Sequence, residues 1–307
     1  MAKLGAHLSI SGGYVKAIEK VKAIGGNCLQ IFSSSPRSWN SHHLNQDEID
    51  LFKTKKATYK INPIYFHGSY LINLADRNHV GRASKKSLIR DMQTAFQLGI
   101  KGCVIHLGSY KDNEAVPEIP PEIILKSYDI LIENMRHVLA ETPSETLFII
   151  ENSGIKKIGL TIDELAKILT DIDNKRVRVC FDTCHLHAGG YNLSTQELLD
   201  QFLNIFNSFI GLDKLELWHL NDSKDPFSTH RDRHENIGQG HIGTEVFRLL
   251  LNHPLTKDMP FIIETPGFDG KGPDKENLDI LKNMIGLETA KVIADITPEE
   301  KVPQIAV

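Results

Sequence analysis

The stretch Leu147-Phe148-Ile149-Ile150-Glu151 sets four large apolar residues in a row and ends them on a carboxylate. A run this short and this apolar suits a parallel strand buried on both faces. A carboxylate at its end is costly to bury unless it is paired or bound to a metal. Seven more segments repeat the design: Leu4–Ser9, Cys28–Ser33, Ile64–Ser69, Val104–Ser109, Val177–His185, Leu215–Asn221 and Phe261–Thr265. The apolar runs end on His7, Ser33, His67, His106, Glu151, Asp182, His219 and Glu264, so seven of the eight end on His, Asp or Glu. Amphipathic stretches of helical length lie between them, Tyr14–Ile24 and Ile123–Leu139 among these. Eight alternating units without a weaker, edge-like run predict an α/β fold, a closed (β/α)8 TIM barrel rather than an open sheet. In such a barrel the C-terminal ends of the strands carry the chemistry. His, Asp and Glu converging there predict a metal cluster.

Local signals support this frame. Thr161-Ile-Asp-Glu164 and Ser194-Thr-Gln-Glu197 read as capping boxes at helix starts. Gly25-Gly26 and Gly99 read as helix stops. Residues 221–243 are long for a loop and rich in His, Asp, Arg and Gly, which marks a functional segment. The chain has 307 residues, 41% of them hydrophobic. One barrel of roughly 250 residues plus extensions fits that length. We expect the barrel domain over residues 1–286 and a peripheral tail over 287–307, which contains Pro298 and Pro303.

Composition narrows the function classes. No apolar stretch approaches the roughly 20 residues needed to span a membrane. Met1-Ala-Lys-Leu-Gly5 runs straight into the first apolar segment and reads as no signal peptide. Cys28, Cys103, Cys180 and Cys184 form no C-x-x-C pair, and reduced core thiols in a cytoplasmic protein are expected. The formal net charge is −4, so no global basic footprint advertises nucleic acid. Three bound divalent cations would bring that charge to about +2.

Four patterns carry candidate chemistry. Phe181-Asp-Thr-Cys-His185 places Asp182 and His185 three residues apart at a strand end, where the chain must bend for both to face one cavity. The plainer reading of Asp182 is a cap on the following turn. Tyr65-Phe-His67-Gly-Ser69 and Val104-Ile-His106-Leu-Gly-Ser109 put a histidine at matching tips of neighbouring strands. Ile149-Ile-Glu151 and Ile262-Ile-Glu264 bury carboxylates in runs that contain no Lys or Arg to pair with them. Leu217-Trp-His219-Leu-Asn-Asp222 is followed by Arg231-Asp232-Arg-His234-Glu-Asn-Ile-Gly238-Gln-Gly240, where Asp232 and His234 can reach one metal. Nine candidate ligands result: His67, His106, Glu151, Asp182, His185, His219, Asp232, His234 and Glu264. That exceeds what one tetrahedral zinc takes and suits two or three metals. Clustered metals suit phosphoester cleavage, because they make hydroxide available and offset charge on phosphorus and on the leaving oxygen.

With these residues in view, the chain resembles the endonuclease IV family of apurinic/apyrimidinic (AP) endonucleases. The resemblance runs from Gly5-Ala-His-Leu-Ser9 to Ile263-Glu-Thr265. Its most specific stretches are Ser69-Tyr-Leu-Ile-Asn-Leu74, Phe181-Asp-Thr-Cys-His185, His219-Leu-Asn-Asp222 and Asp232-Arg-His-Glu-Asn-Ile-Gly238 with Gly240. It implies a (β/α)8 barrel with three zinc ions, manganese being admissible at one position. His67 and His106 would hold the first, and Glu151 would bridge it to the second. Asp182, His219 and Glu264 would complete the second. His185, Asp232 and His234 would hold the third. Glu151 and Glu264 are the implied catalytic pair, with Glu264 orienting or deprotonating the nucleophile. The implied reaction cuts duplex DNA 5′ to an abasic site, leaving a 3′-hydroxyl and a 5′-deoxyribose phosphate, and blocked 3′ ends are trimmed. Arg37, Tyr70 and Leu71 match family residues that push into the DNA stack, as an apolar wedge beside an extruded nucleotide would. The expected partner is DNA carrying abasic sites or blocked 3′ ends, bound by a monomer without a membrane.

The chain departs from the family pattern in places. Gly68 follows His67 where some members carry Asp, and Leu107 follows His106 where many carry Pro. The 153–160 loop is shorter than in some relatives. Two other classes compete. A sugar isomerase or epimerase on a related barrel uses one or two metals, which leaves His185, Asp232 and His234 without a task. A non-catalytic binder of abasic DNA would need no full ligand set.

Overall fold

A computed structural model describes residues 2–39, 44–110, 121–155 and 157–286, with the side chains of 121–123 excluded. The tail expected after Gly286 lies outside the described residues. Eight parallel strands close into a barrel: β1 (Lys3–Leu8), β2 (Cys28–Phe32), β3 (Ile64–His67), β4 (Gly102–Ile105), β5 (Leu147–Glu151), β6 (Val177–Asp182), β7 (Leu215–His219) and β10 (Pro260–Ile263). Closure comes from β1 pairing with β10, with Lys3 opposite Pro260 and Ala6 opposite Ile263. All eight lie within or beside the apolar runs that predicted them. Most stop one to three residues short of the expected ends, so His106 and Glu264 sit just past their strands.

Helices follow each strand: α1 (Tyr14–Ala23), α2 (Gln46–Tyr59), α3 (His79–Leu98), α4 (Pro121–Ala140), α5 (Ile162–Ile172), α6 (Thr183–Gly189) with α7 (Gln196–Phe209), α8 (Thr244–Asn252) and α9 (Lys275–Met284). The start signals need correction in detail. Thr161 Oγ1 caps α5 by accepting from Glu164 N, but the Glu164 carboxylate turns to the backbone N–H groups of Gly159 and Leu160 instead of closing a box. The cap of α7 is Thr195, not Ser194. A reciprocal box forms instead at Asn45 and Glu48 on α2. Gly99 ends α3 at φ 65°, as a left-handed stop.

Strand side chains alternate between the barrel axis and the helix layer. Leu29, Ile31, Phe148, Ile150, Phe181 and Trp218 face outward into one large core against the helices. Cys28, Tyr65, Val104, Ile149, Cys180, Leu217 and Ile262 face inward and pack as a separate apolar plug. Two residues further along each strand the same inward parity recurs, now above the plug at the C-terminal end. Those positions are Gln30, His67, His106, Glu151, Asp182, His219 and Glu264, with His7 at the matching place after Gly5 of β1. The plug is therefore the floor of whatever site these eight residues build.

The expected long loop after β7 is only partly irregular. Asp222–Ser223 (β8) and His234–Glu235 (β9) pair antiparallel, so the segment folds back on itself as a short ribbon. Its return is organised by the buried Asp222 carboxylate, which accepts from the N–H groups of Gly238, Gly240 and Ile242. A Cβ at Gly240 would lie 2.4 Å from the Ser223 carbonyl oxygen, so only glycine fits this close approach. The four cysteines are buried and free. Among the described residues no helix is long and apolar enough to cross a membrane.

Candidate metal centre

Glu151 is fully buried at the tip of β5, and four histidines surround its carboxylate. His67 Nε2 lies 3.0 Å and His106 Nε2 3.4 Å from Oε2. His219 Nδ1 lies 3.1 Å and His185 Nδ1 3.3 Å from Oε1. From there the donors divide into three groups, each with ligand atoms within 4.8 Å of one another: His67–His106–Glu151, Glu151–Asp182–His219–Glu264 and His185–Asp232–His234. All nine residues expected from the sequence fall in these groups, and Glu151 belongs to two.

Local structure explains the placement. Asp182 ends β6 and caps α6, its Oδ1 accepting from the N–H groups of Cys184 and His185. His185, expected on the strand, stands instead in the first turn of α6. The cap and the ligand readings of Asp182 are both met, because Oδ2 stays directed inward, 3.7 Å from both His219 and His234. Asp232 and His234 arrive on the ribbon. Arg233 between them turns away and grips the buried Asp225 through two bonds of 2.7 and 2.6 Å, which anchors the loop. His185 Nε2 and His234 Nε2 then face the two oxygens of Asp232 at 3.1 and 3.3 Å.

Several histidines have one ring nitrogen held from outside. His67 Nδ1 is bonded to the Gly68 carbonyl at 2.8 Å, His185 Nδ1 to the Asn152 carbonyl at 3.0 Å and His219 Nε2 to Gln30 Oε1 at 2.9 Å. This leaves Nε2, Nε2 and Nδ1 free to face the carboxylates, the pattern that orients metal-binding imidazoles.

Sequence reading missed Gln30. It named Ser33 as the polar end of the second run, yet Ser33 turns outward and donates to Asp91 Oδ1 at 2.5 Å. Gln30 is the residue that points to the axis, with Nε2 donating to Glu264 Oε1 at 2.7 Å. His7, seen as a strand tip but given no role, bonds the same oxygen through Nδ1 at 2.6 Å.

The charge pattern suits a divalent cation. Among the described residues no Lys or Arg pairs with Glu151, Asp182, Asp232 or Glu264, which disposes of the plain ion-pair reading. Burial opposes ionisation of Glu151, but His106 and His219 hold its carboxyl well below the usual range. Burial likewise opposes the charged form of His185, and Asp182 and Asp232 outweigh it, raising that imidazole well above its ordinary value. His234 is pushed up to about 9 by the same balance of burial against Asp182 and Asp232. His106 goes the other way, down to about 4, because burial outweighs Glu151, so it presents a neutral imidazole. Cys184 also lies near Asp182 and His234. Burial drives its thiol upward, which keeps it protonated and a poor ligand. Five imidazoles and four carboxylates, with no fixed cation among them, form a donor set that fits zinc-like metals.

The groups open into a cavity of about 630 Å³, with His7, His67, His106, His185, His234 and Glu264 at its base and Phe32, Pro36 and Tyr70 among its walls. Tyr70 packs edge-on against Phe32, ring centroids 5.3 Å apart, yet is 63% exposed. Leu71 beside it is 37% exposed. Both therefore keep apolar surface open to solvent at the mouth. Arg37 is exposed on the loop after β2, and Tyr70 N donates to the carbonyl of its neighbour Pro36 at 3.2 Å. Arg37 and Leu71 do not line the cavity itself.

Fold and site define a (β/α)8 barrel with a candidate divalent-metal centre at its C-terminal face. Residues 18–284 match the family described as xylose isomerase-like TIM barrel. The chain is 36% identical over 288 residues to a protein of Thermosipho africanus named probable endonuclease 4, covering 92% of this chain and 98% of that one. A protein of the same name from Halothermothrix orenii is 35% identical over 284 residues, covering 91% and 99%. The solved endonuclease IV of Thermus thermophilus superposes with a TM-score of 0.76 at 31% identity, covering 92% of this chain and 98% of that one. The chain belongs to the endonuclease IV family.

Proposed function

We propose that this protein is a metal-dependent AP endonuclease of DNA repair. It would hydrolyse the phosphodiester bond 5′ to an abasic site in duplex DNA, leave a 3′-hydroxyl and a 5′-deoxyribose phosphate, and trim blocked 3′ ends. The observation that carries this reading is the convergence of nine donors into three groups, two of which share Glu151. Zinc is the metal proposed for each group, with His67, His106 and Glu151 holding one, Glu151, Asp182, His219 and Glu264 another, and His185, Asp232 and His234 the third. When bound, such metals supply hydroxide near neutral pH and offset the charge of a phosphodiester.

The chain's own residues supply position and proton handling. Glu264 has Oε1 held by His7 and Gln30, so its second oxygen is directed by fixed neighbours toward His219. Burial opposes its charge, but His219 and His7 keep the carboxyl well below the usual range. It therefore enters the reaction ionised; a carboxyl held this low is a weak proton acceptor, so it suits orienting the nucleophile more than deprotonating it. Tyr70 and Leu71 offer an aromatic and an aliphatic face to the gap left by a missing base, and Arg37 offers a cation to the adjoining backbone. An abasic nucleotide loses little stacking on extrusion, so a cavity of this size favours it over an intact one. Monomeric action in the cytoplasm belongs to the same reading.

A sugar isomerase on the same barrel would leave the His185–Asp232–His234 group and the exposed Tyr70–Leu71 pair without tasks. The deciding experiment is cleavage of an end-labelled duplex containing one abasic analogue that cannot β-eliminate, beside an undamaged control. A single metal-dependent cut 5′ to the lesion is expected. No cut by protein carrying its metals would overturn the reading.

A further inference from the structure

Arg82, Lys85, Lys86 and Arg90 of α3 line a groove of about 360 Å³, with Ile89 between them and His137 of α4 across. Among the described residues no acidic side chain lines it, and none of these four cations makes an ion pair. Arg90 instead donates from Nη2 to the Trp39 carbonyl at 2.9 Å, and its Nε is buried without a partner.

Two hydrogen bonds fix the height of this groove. Ser33 directly follows β2 and donates to Asp91, so α3 at residue 91 is level with the strand tips. Asn134 Nδ2 donates at 2.7 Å to the Leu74 carbonyl in the loop after β3, which sets α4 at a similar level. The residues of α3 before 91 therefore stand on the catalytic side of the barrel. At about 1.5 Å per residue, Lys86 lies ~7 Å and Arg82 ~13 Å along the helix from Asp91. Arg82, Lys86 and Arg90 recur every four residues and share one face. The groove is also joined to the mouth. Arg90 holds Trp39, two residues after Arg37, and Pro36 on that loop accepts from Ser69 Oγ at 2.7 Å.

A chain of net charge −4 repels a polyanion in general, so approach depends on places where the local potential reverses. We propose that this flank of α3 holds the phosphodiester backbone of a duplex arm that extends beyond the lesion. The inference rests on DNA being the substrate. It assigns the flank a contact with phosphates, blind to sequence and to damage, and leaves recognition of the lesion to the mouth.

The test uses the full-length, metal-loaded protein with Arg82→Ala and Lys86→Ala combined. Binding is followed by fluorescence anisotropy on duplexes of about 30 and about 10 base pairs, roughly three turns and one turn. Each is made with and without a central abasic analogue. On both long duplexes the variant should bind about tenfold more weakly near 0.1 M salt, and the slope of log K against log salt should be shallower by about 1.8, the value for two phosphates. Binding to the short duplex and turnover at saturating long substrate should not change. Arg82→Lys with Lys86→Arg should bind like the parent, which separates charge from folding. Unchanged affinity and slope on the long duplexes would overturn the proposal, and so would an equal loss on the short one. A parent protein that fails to distinguish abasic from undamaged DNA would sink the substrate reading instead, because the flank is read on undamaged duplex as well.

Discussion

Gln30 shows how one residue can set the chemistry of two others. A carboxylate oxygen only accepts, so the Gln30 amide must turn its NH2 to Glu264 and its oxygen to His219. A neutral His219 then carries its proton on Nε2 and leaves Nδ1 bare toward Glu151 and Asp182. Gln30→Leu keeps much of the volume and removes both bonds. We expect zinc affinity at the group containing His219 and Glu264 to fall about 10- to 100-fold, read by chelator competition, with the His185–Asp232–His234 group unaffected. Equal affinity in parent and variant would refute the role. Gln30 was legible in principle. Cys28 and Gln30 share inward parity with Tyr65 and His67 on the next strand, but the run continues to Ser33, whose polar side chain masks the inward glutamine. Parity within a strand is the stronger guide here than the end of an apolar run. The wedge residues are a second test at this scale. Combined Tyr70→Ala and Leu71→Ala should weaken binding to abasic duplex while metal content, measured by elemental analysis, stays at the parent level. Parent-like affinity for the lesion would remove these residues from recognition.

At the scale of elements, α3 is joined to the strand tips by a buried acid. Burial pushes Asp91 up to about 6, against the opposing pull of its bond from Ser33 and of nearby Arg90. An unfolded aspartate titrates near 3.9. The folded value is the higher one, so the fold favours the protonated form, and stability is lost as pH rises from about 4 through about 6. That loss is of order 3 kcal/mol at neutral pH. Asp91→Asn should therefore be more stable than the parent by about 1–3 kcal/mol at pH 7.5 and indistinguishable at pH 4, measured by urea unfolding at both. A destabilised variant at pH 7.5 would mean that the Ser33 bond needs the charged acceptor. The barrel strands were legible because parallel strands are apolar on both faces, and their helices because one face is. The ribbon of β8 and β9 was not, since two-residue strands have no period to read and are held by Asp222 from across the turn. His185 was misplaced for a related reason. Phe181-Asp-Thr-Cys-His185 reads as continuous strand until Asp182 is recognised as a helix cap, and the same side chain that ends the strand starts α6.

For the molecule as a whole, four carboxylates and five imidazoles gathered at one end of a barrel pose a charge problem that protons or metals can solve. Without metals the solution is protonic. Burial disfavours the charged form of His67, His185, His219 and His234, yet their neighbours raise all four, with Glu151 foremost for His67, Asp182 for His185 and His234, and Cys180 followed by Glu264 and Glu151 for His219. Because folded values lie above the unfolded one, these pairs support the metal-free fold fully below about pH 6.5, and the His234 share is lost as pH rises through about 9. Metals take neutral imidazoles, so loading must expel the protons that the histidines hold. His106, pushed down to about 4, has none to give at neutral pH. We expect zinc loading of the stripped protein at pH 7 to release about four protons per chain, one from each raised histidine. Apparent affinity should then climb with pH through about 9, where His234 gives up its proton. Calorimetry in two buffers of different ionisation enthalpy reads the proton count directly. Zinc uptake with no proton release would mean that the stripped site is held together by something other than imidazolium–carboxylate pairs, and the charge balance drawn from Glu151 outward would have to be abandoned.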